Sequence, residues 1–268
     1  MLRGIDATKA GMMSILEYND NLAHSLANAN TTAFKQTRLS FKNIHDTAIN
    51  AIHNGKSNLE KSNSIGSLSA GSAIDSYSID FSQGTIKDTG RTFDLAINGD
   101  GFFKVKMADG SFAYSRNGIF QVQTDGTLTD SQGNPIMNKD GIVRIQLQEG
   151  AKQNLIDFDK VTIKNNGEIY YENQQYGKID LYDFSDKTKV MDIGEGRFVS
   201  MDEISNPAKL MNNPNMQQFA IELSNANSIM TMINSLNAHR AYESMNNVMQ
   251  TNSQTLQKTI SSVGKAIG

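Results

Sequence analysis

The chain has 268 residues, 38% of them hydrophobic, with 25 Lys and Arg against 28 Asp and Glu for a net charge of −3, enough for one or two domains around a modest core. With no basic block and a slight acidic excess, it carries no electrostatic footprint for nucleic acid or an anionic membrane, and no nucleic-acid partner is expected. Cysteine is absent, which excludes disulfides, thiolate metal sites and a cysteine nucleophile.

At the N-terminus, Glu17, Asn19, Asp20 and Asn21 interrupt any continuous apolar run of the kind a Sec signal needs. Nothing approaches the ~20 apolar residues of a membrane span, so a non-cytoplasmic location implies a signal-independent export route. Leu2, Ile5, Met12, Leu16, Ala23, Leu26 and Ala27 recur mostly at threes and fours, which predicts one amphipathic helix from about Leu2 to Ala27, ended by Thr31 and Thr32. From Gln36 to Ile79 the chain is rich in Ser, Asn and Gly without a sustained period and reads as a partly extended linker.

From Phe81 onward, short β-favouring runs alternate with turn pairs: Gly101 to Val105, Ala113-Tyr114, Ile119 to Val122, Val143 to Ile145, Val161 to Ile163, Ile169 to Tyr171 and Ile179 to Tyr182. Asn98-Gly99, Asp109-Gly110, Asn117-Gly118 and Asp125-Gly126 fall between them, and such pairs supply the positive φ that tight hairpins need. This is an antiparallel β-domain. After Pro214 a helical period returns through Ile221, Ile229, Ile233, Leu236, Ala241, Met245, Val248, Leu256, Ile260 and Val263. Some forty residues at ~1.5 Å each give a helix of roughly 60 Å.

The fold class is therefore α+β, with N- and C-terminal helices paired as a coiled coil around a central antiparallel β-domain. The expected divisions are residues 1–35 for the first helix and its turn, 36–80 for the linker, 81–220 for the β-domain and 221–268 for the second helix. Residues 221–268 hold eighteen Asn, Ser and Thr, each costing up to ~0.5 kcal/mol against Ala in a helix. The termini are thus expected to be disordered in the free monomer and to order on assembly.

Three separate stretches resemble signatures of the flagellar rod and hook protein family. The run Asn21-Leu22-Ala23-His24-Ser25-Leu26-Ala27-Asn28-Ala29-Asn30-Thr31-Thr32-Ala33-Phe34-Lys35 is similar to its N-terminal motif, Asn-Asn-Leu-Ala-Asn, two variable residues, Thr, a variable residue, then Gly-Phe-Lys. Phe81-Ser82-Gln83-Gly84, Asp94 to Phe103 and Tyr114-Ser115-Arg116-Asn117-Gly118 resemble the central motifs. Leu223-Ser224-Asn225-Ala226-Asn227 and Arg240-Ala241-Tyr242-Glu243 resemble the C-terminal one. Ala33 departs from the family glycine, so its turn either does without positive φ or accepts strain of about 1 kcal/mol. His24-Ser25 and His239 replace the usual Asn pair and Gln.

The resemblance and the apolar stripes assign assembly roles to Asn21, Leu22, Leu26, Ala27, Asn28, Asn30, Thr31, Phe34 and Lys35 at one end, and to Leu223, Asn225, Asn227, Ile233, Leu236, Arg240, Ala241, Tyr242 and Glu243 at the other. It implies a structural, non-enzymatic subunit of the basal-body rod, a tubular homopolymer that transmits torque and encloses an export channel. The implied partners are further copies of the chain, other rod subunits, hook or hook-junction proteins, the surrounding periplasmic and outer-membrane rings and the flagellar export apparatus. The implied location is the periplasm-spanning rod. The long 36–80 stretch resembles the linker of the distal rod type; a β-domain-bearing proximal subunit and a short hook-type subunit are the alternatives.

No cofactor or metal is expected. His24, His45, His53 and His239 lack ligand spacing, Asp125 to Asn134 lacks the ligand pattern of a calcium loop, and the serines of Gly66 to Gly71 lack the strand and helix of a nucleophile elbow. Phe102, Phe103, Tyr114 and Phe120 read as core. Two readings from other classes are a secreted ligand-binding β-domain on a helical dimerisation stalk, which the absence of Trp disfavours as a sugar platform, and a hydrolase, for which no two carboxylates pair convincingly.

Overall fold

The structure is a computed structural model that describes residues 2–44, 46–50, 64–69, 71–145, 160–172 and 174–267; His45 and His53 lie outside them. The chain divides into two compact units, one of residues 1–26, 37–78 and 228–268, the other of 27–36 and 79–227. Helices at both ends of the chain and largely antiparallel strands between them make the fold α+β.

In the first unit, α1 (Leu2–Ala27) and α2 (Ser228–Ile267) run in opposite directions. Ser235 Oγ donates to Asn19 Oδ1 at 2.8 Å, an added Cβ at Gly11 would stand 3.1 Å from Met245 Sδ, and one at Gly4 would stand 4.0 Å from Asn252 Nδ2. As the α1 number falls from 19 to 11 to 4, the α2 number climbs from 235 to 245 to 252, steps of roughly two to three helical turns, which is the register of side-by-side antiparallel helices. The many hydroxyls of α2 are accommodated by bonding back to the preceding turn: Ser244 to the Arg240 carbonyl, Thr251 to Asn247, Thr255 to Thr251 and Thr259 to Thr255, all at 2.8–2.9 Å. Between the helices in sequence, the stretch read as a linker holds strands. Thr37–Asn43 pairs with Ser72–Ile79, and Asp46–Asn50 pairs antiparallel with Ser64–Ser69. Among the described residues no helix is long and apolar enough to cross a membrane.

The second unit is built on an eight-stranded sheet whose path runs Gly141–Ile142, Ile136–Asn138, Phe102–Lys106, Phe112–Ser115, Arg197–Ser200 and Val190–Gly194, with Leu181–Asp183 and Lys209–Leu210 branching from Phe102–Lys106. The strand Phe102–Lys106 explains the core. Successive side chains point to opposite faces, so Phe103 and Val105 join a cluster with Leu95, Leu128, Ile136 and Leu181, while Phe102 joins Phe184, Val190 and Phe198. All four aromatics read as core are used so: Phe102, Phe103 and Phe120 are buried, and the half-buried Tyr114 packs against the second cluster.

Two expectations need correction. The helical period assigned from Pro214 onward begins later, at Ser228. Met216–Gln218 pairs with Leu95–Ile97 and Ala220–Glu222 with Ile86–Asp88, so Ile221 lies in a strand, and the polar Ser224 to Asn227 separates strand from helix. Of the four turn glycines, Gly99, Gly110 and Gly126 have positive φ and Gly118 does not. Gly118 is required for close approach instead, since a Cβ there would meet the Leu95 carbonyl oxygen at 1.7 Å.

Candidate assembly site

The turn that follows α1 is held by its own polar residues. Asn28 begins it, its carbonyl accepting from the Thr31 amide at 3.1 Å and its side chain from the Thr31 hydroxyl at 3.1 Å. Ala33 then takes φ 57°, the left-handed conformation that costs a residue with a Cβ about 1 kcal/mol. Strain is accepted there, and the purpose is visible: the Ala33 amide donates to the Glu222 carbonyl at 2.9 Å, and the methyl group is fully buried. That hydrogen bond ties the turn to the strand Ala220–Glu222 within the second unit.

Lys35 follows and is buried, its Nζ 2.6 Å from Glu222 Oε1 and 2.8 Å from the Ser82 carbonyl. Glu222 is wholly buried as well. Its Oε1 also accepts from the Gly84 amide at 2.7 Å, and Oε2 lies 3.3 Å from Arg116 Nη1. Arg116, 1% exposed, completes the node by donating from Nε to the Gly101 carbonyl at 3.1 Å and from Nη2 to that of Gly99, with its guanidinium 5.5 Å from the Phe102 ring centre. Burial pushes the Lys35 ammonium below the usual lysine value, and the hydrogen bond and charge of Glu222 oppose that shift. A carboxylate between two cations, with carbonyls taking up donors on either side, is the arrangement under which buried charge is tolerated. Among the described residues the one buried side-chain atom lacking a partner is Arg197 Nε, outside the node.

Asn225 forms a second clamp beside it. Its Oδ1 accepts from the Gln36 amide at 2.9 Å, its Nδ2 donates to the Asp80 carbonyl at 2.7 Å, and its own amide donates to the Phe34 carbonyl at 3.3 Å. Gly84 lets the strands close, since a Cβ there would stand 2.0 Å from the Leu223 carbonyl oxygen.

Of the residues singled out from sequence, Asn28, Thr31, Phe34, Lys35, Leu223 and Asn225 thus come together in the second unit. Asn30 and Asn227 sit exposed in its turns. Asn21, Leu22 and Leu26 lie on α1, where Leu22 is buried, and Ala27 ends that helix, exposed. Ile233 and Leu236 are exposed on α2, at 47% and 60%. Arg240, Ala241, Tyr242 and Glu243 occupy the next turn of that helix, and Arg240 and Glu243 are exposed. Glu222 and Arg116 were missed as site residues. The available signal was one acidic residue inside the apolar run Ala220-Ile221-Glu222-Leu223, a buried strand position that needs a cation. Among the described residues no three His, Cys, Asp or Glu side chains cluster as metal ligands.

Residues 96–171, which include Arg116, match the family model described as the flagellar hook protein FlgE/F/G D1 domain. Likeness extends over nearly the whole length to proteins named flagellar basal-body rod protein FlgG. The one from Borreliella burgdorferi is 29% identical, covering 93% of this chain and 94% of the relative. That of Bacillus subtilis is 28% identical over 97% and 98%. The chain is thus similar over nearly its whole length to flagellar basal-body rod proteins, and its middle is similar to the D1 domain of the hook and rod proteins. The flagellar basal-body rod protein FlgF of Caulobacter vibrioides is also similar, 26% identical over 94% of each chain. The node joins Lys35 of the N-terminal stretch and Arg116 of the central one to Glu222, the residue just before the C-terminal stretch.

Proposed function

We propose that this chain is a non-enzymatic structural subunit of the flagellar basal-body rod, of the distal type, that polymerises into a tube transmitting torque and enclosing the export channel. Its location is the basal body. The observation that carries this reading is the buried Lys35–Glu222–Arg116 node, in which residues of the N-terminal and central motifs meet Glu222, next to the C-terminal one. It is built for cohesion: its polar atoms are spent on one another and on backbone carbonyls, leaving no reactive group aimed at a cavity. Relatives named FlgG favour the distal over the proximal type.

In this reading α1 and α2 pair as a coiled coil and pack against neighbouring copies, with Ile233 and Leu236 on the assembly face. Further partners are other rod subunits, hook or hook-junction proteins, the rings around the rod and the export apparatus. The test is Ile233→Asp in cells lacking the wild-type gene. Incorporation into purified basal bodies and swimming are expected to be lost while the β-unit keeps its near-ultraviolet dichroism; wild-type swimming would overturn the assembly face. Hydrogen exchange on the free chain is expected to find residues 2–27 and 228–267 unprotected around a protected β-unit. Protected ends would favour the stalk-and-binding-domain reading instead.

A further inference from the structure

In the second unit, the loop after Arg197–Ser200 presents two apolar side chains to solvent, Met201 at 63% exposure and Ile204 at 96%. The loop is rigidly built. Asp202 Oδ1 accepts from the amides of Ile204 and Ser205 at 3.2 and 3.1 Å, and the Asp202 carbonyl accepts from the Asn206 amide at 2.9 Å. The buried Asn206 ties the loop down through the Asp186 carbonyl at 2.7 Å and the Asp186 amide at 3.0 Å. A loop ordered this tightly around an outward isoleucine holds a preformed knob at little further entropic cost.

The same unit carries a groove of about 520 Å³ between residues 90–94 and 119–122. The half-buried Phe93, Ile119 and Val122 give it an apolar lining, and Arg91, whose side chain is 62% exposed, is held there through Nε by Asp94. Knob and groove are formed by separate, non-overlapping segments of the unit. The knob adjoins the edge at Val190–Gly194. On the groove side, Gln121–Val122 pairs with Leu128–Thr129, and bridges from Thr127 to Arg144 and Thr129 to Pro135 carry that hairpin to the edge at Gly141–Ile142. The charges also match, with the exposed Asp202 and Glu203 on the knob and Arg91 at the groove.

We propose that the Met201–Ile204 knob of one copy docks in the Phe93–Val122 groove of a second copy of this chain, with Asp202 and Glu203 facing Arg91. A knob and its hole on different patches of one body join copies head to tail, and such a heterologous contact propagates instead of closing into a pair. The inference rests on the homopolymer reading and assigns that polymer a lateral contact between β-units.

The chain's lack of cysteine allows a clean test. Gln121→Cys and Ile204→Cys, both exposed positions, are introduced together into the full chain in cells lacking the wild-type gene, and purified basal bodies are oxidised and run without reductant. A ladder of dimers, trimers and longer products is expected from the double variant and none beyond dimers from either single variant, with the ladder lost when Glu203→Lys is added. Protein present in basal bodies without a ladder would overturn the contact and leave the rod reading intact. Absence of the chain from basal bodies would overturn both.

Discussion

Lys35 and Glu222 stand 187 positions apart in the chain, yet their charged atoms are 2.6 Å apart and both side chains are fully buried. The pair turns a sequence separation into a mechanical tie: the N-terminal turn cannot leave the β-unit without exposing a carboxylate and stranding the Arg116 guanidinium. Removing one member of a buried ion cluster costs about 3–5 kcal/mol, because the remaining charges stay desolvated and unpaired. Glu222→Ala is therefore expected to lower the stability of the β-unit by that amount in urea unfolding followed by tyrosine near-ultraviolet dichroism. A loss under about 1 kcal/mol would mean that the node does not bear on stability.

Gly84 tests the same tie by sterics. Its amide donates to Glu222 Oε1, and an added Cβ would overlap the Leu223 carbonyl oxygen at 2.0 Å. Gly84→Ala must push Leu223 away and so loosen both Glu222 and Asn225. The expected cost is about 1–3 kcal/mol, with faster amide exchange at Ala33 and Gln36 than in the sheet centre. Unchanged exchange at those two amides would show that the strand pair yields without disturbing the turn.

Much of this was legible in the sequence, and what was not has physical causes. Period and turn chemistry fixed α1 and most hairpins because those signals are local. Residues 36–79 read as a linker since Ser, Asn and Gly dilute their apolar positions, and the pairing of their strands depends on partners up to about forty residues away. The helix α2 begins later than its apolar period suggests because Ile221 fits a helical period as well as a strand one, and only pairing with Lys87 decides. The motifs contained Lys35, Arg116 and Asn225, whereas Glu222 lies outside them, and its pairing with Lys35 and Arg116 appears only when strands remote in sequence are brought together.

Ala33 concentrates two opposed effects at one atom. Glycine at φ 57° would relieve about 1 kcal/mol of left-handed strain, while deleting a fully buried methyl forfeits about 0.8 kcal/mol. Ala33→Gly is accordingly expected to leave the unfolding midpoint nearly unchanged. Ala33→Val adds β-branching to a left-handed residue whose methyl is fully buried, and a loss of at least about 2 kcal/mol is expected. Equal stability of the valine and alanine forms would mean that the turn does not hold its positive φ in solution.

Tyr114 makes the alkaline behaviour of the β-unit testable. Its ring stacks edge-on against Phe184 at 4.9 Å and Tyr182 at 6.1 Å, and burial pushes its phenol up to about 12 from an ordinary 10.0, with the Glu203 charge adding to the shift. Unfolding lets this phenol ionise at its ordinary value, so between pH 10 and 12 the unfolded chain binds fewer protons than the folded one. Its contribution is full below pH 10 and declines as pH rises through the folded value. Burial raises Tyr182 in the same direction, while Lys35, depressed by burial, acts in the opposite sense. Comparison with Tyr114→Phe isolates the one phenol. The phenylalanine form is expected to match the wild type in urea midpoint at pH 8 and to lose stability less steeply from pH 10 to pH 11.5; parallel decline of the two would place the Tyr114 hydroxyl in water.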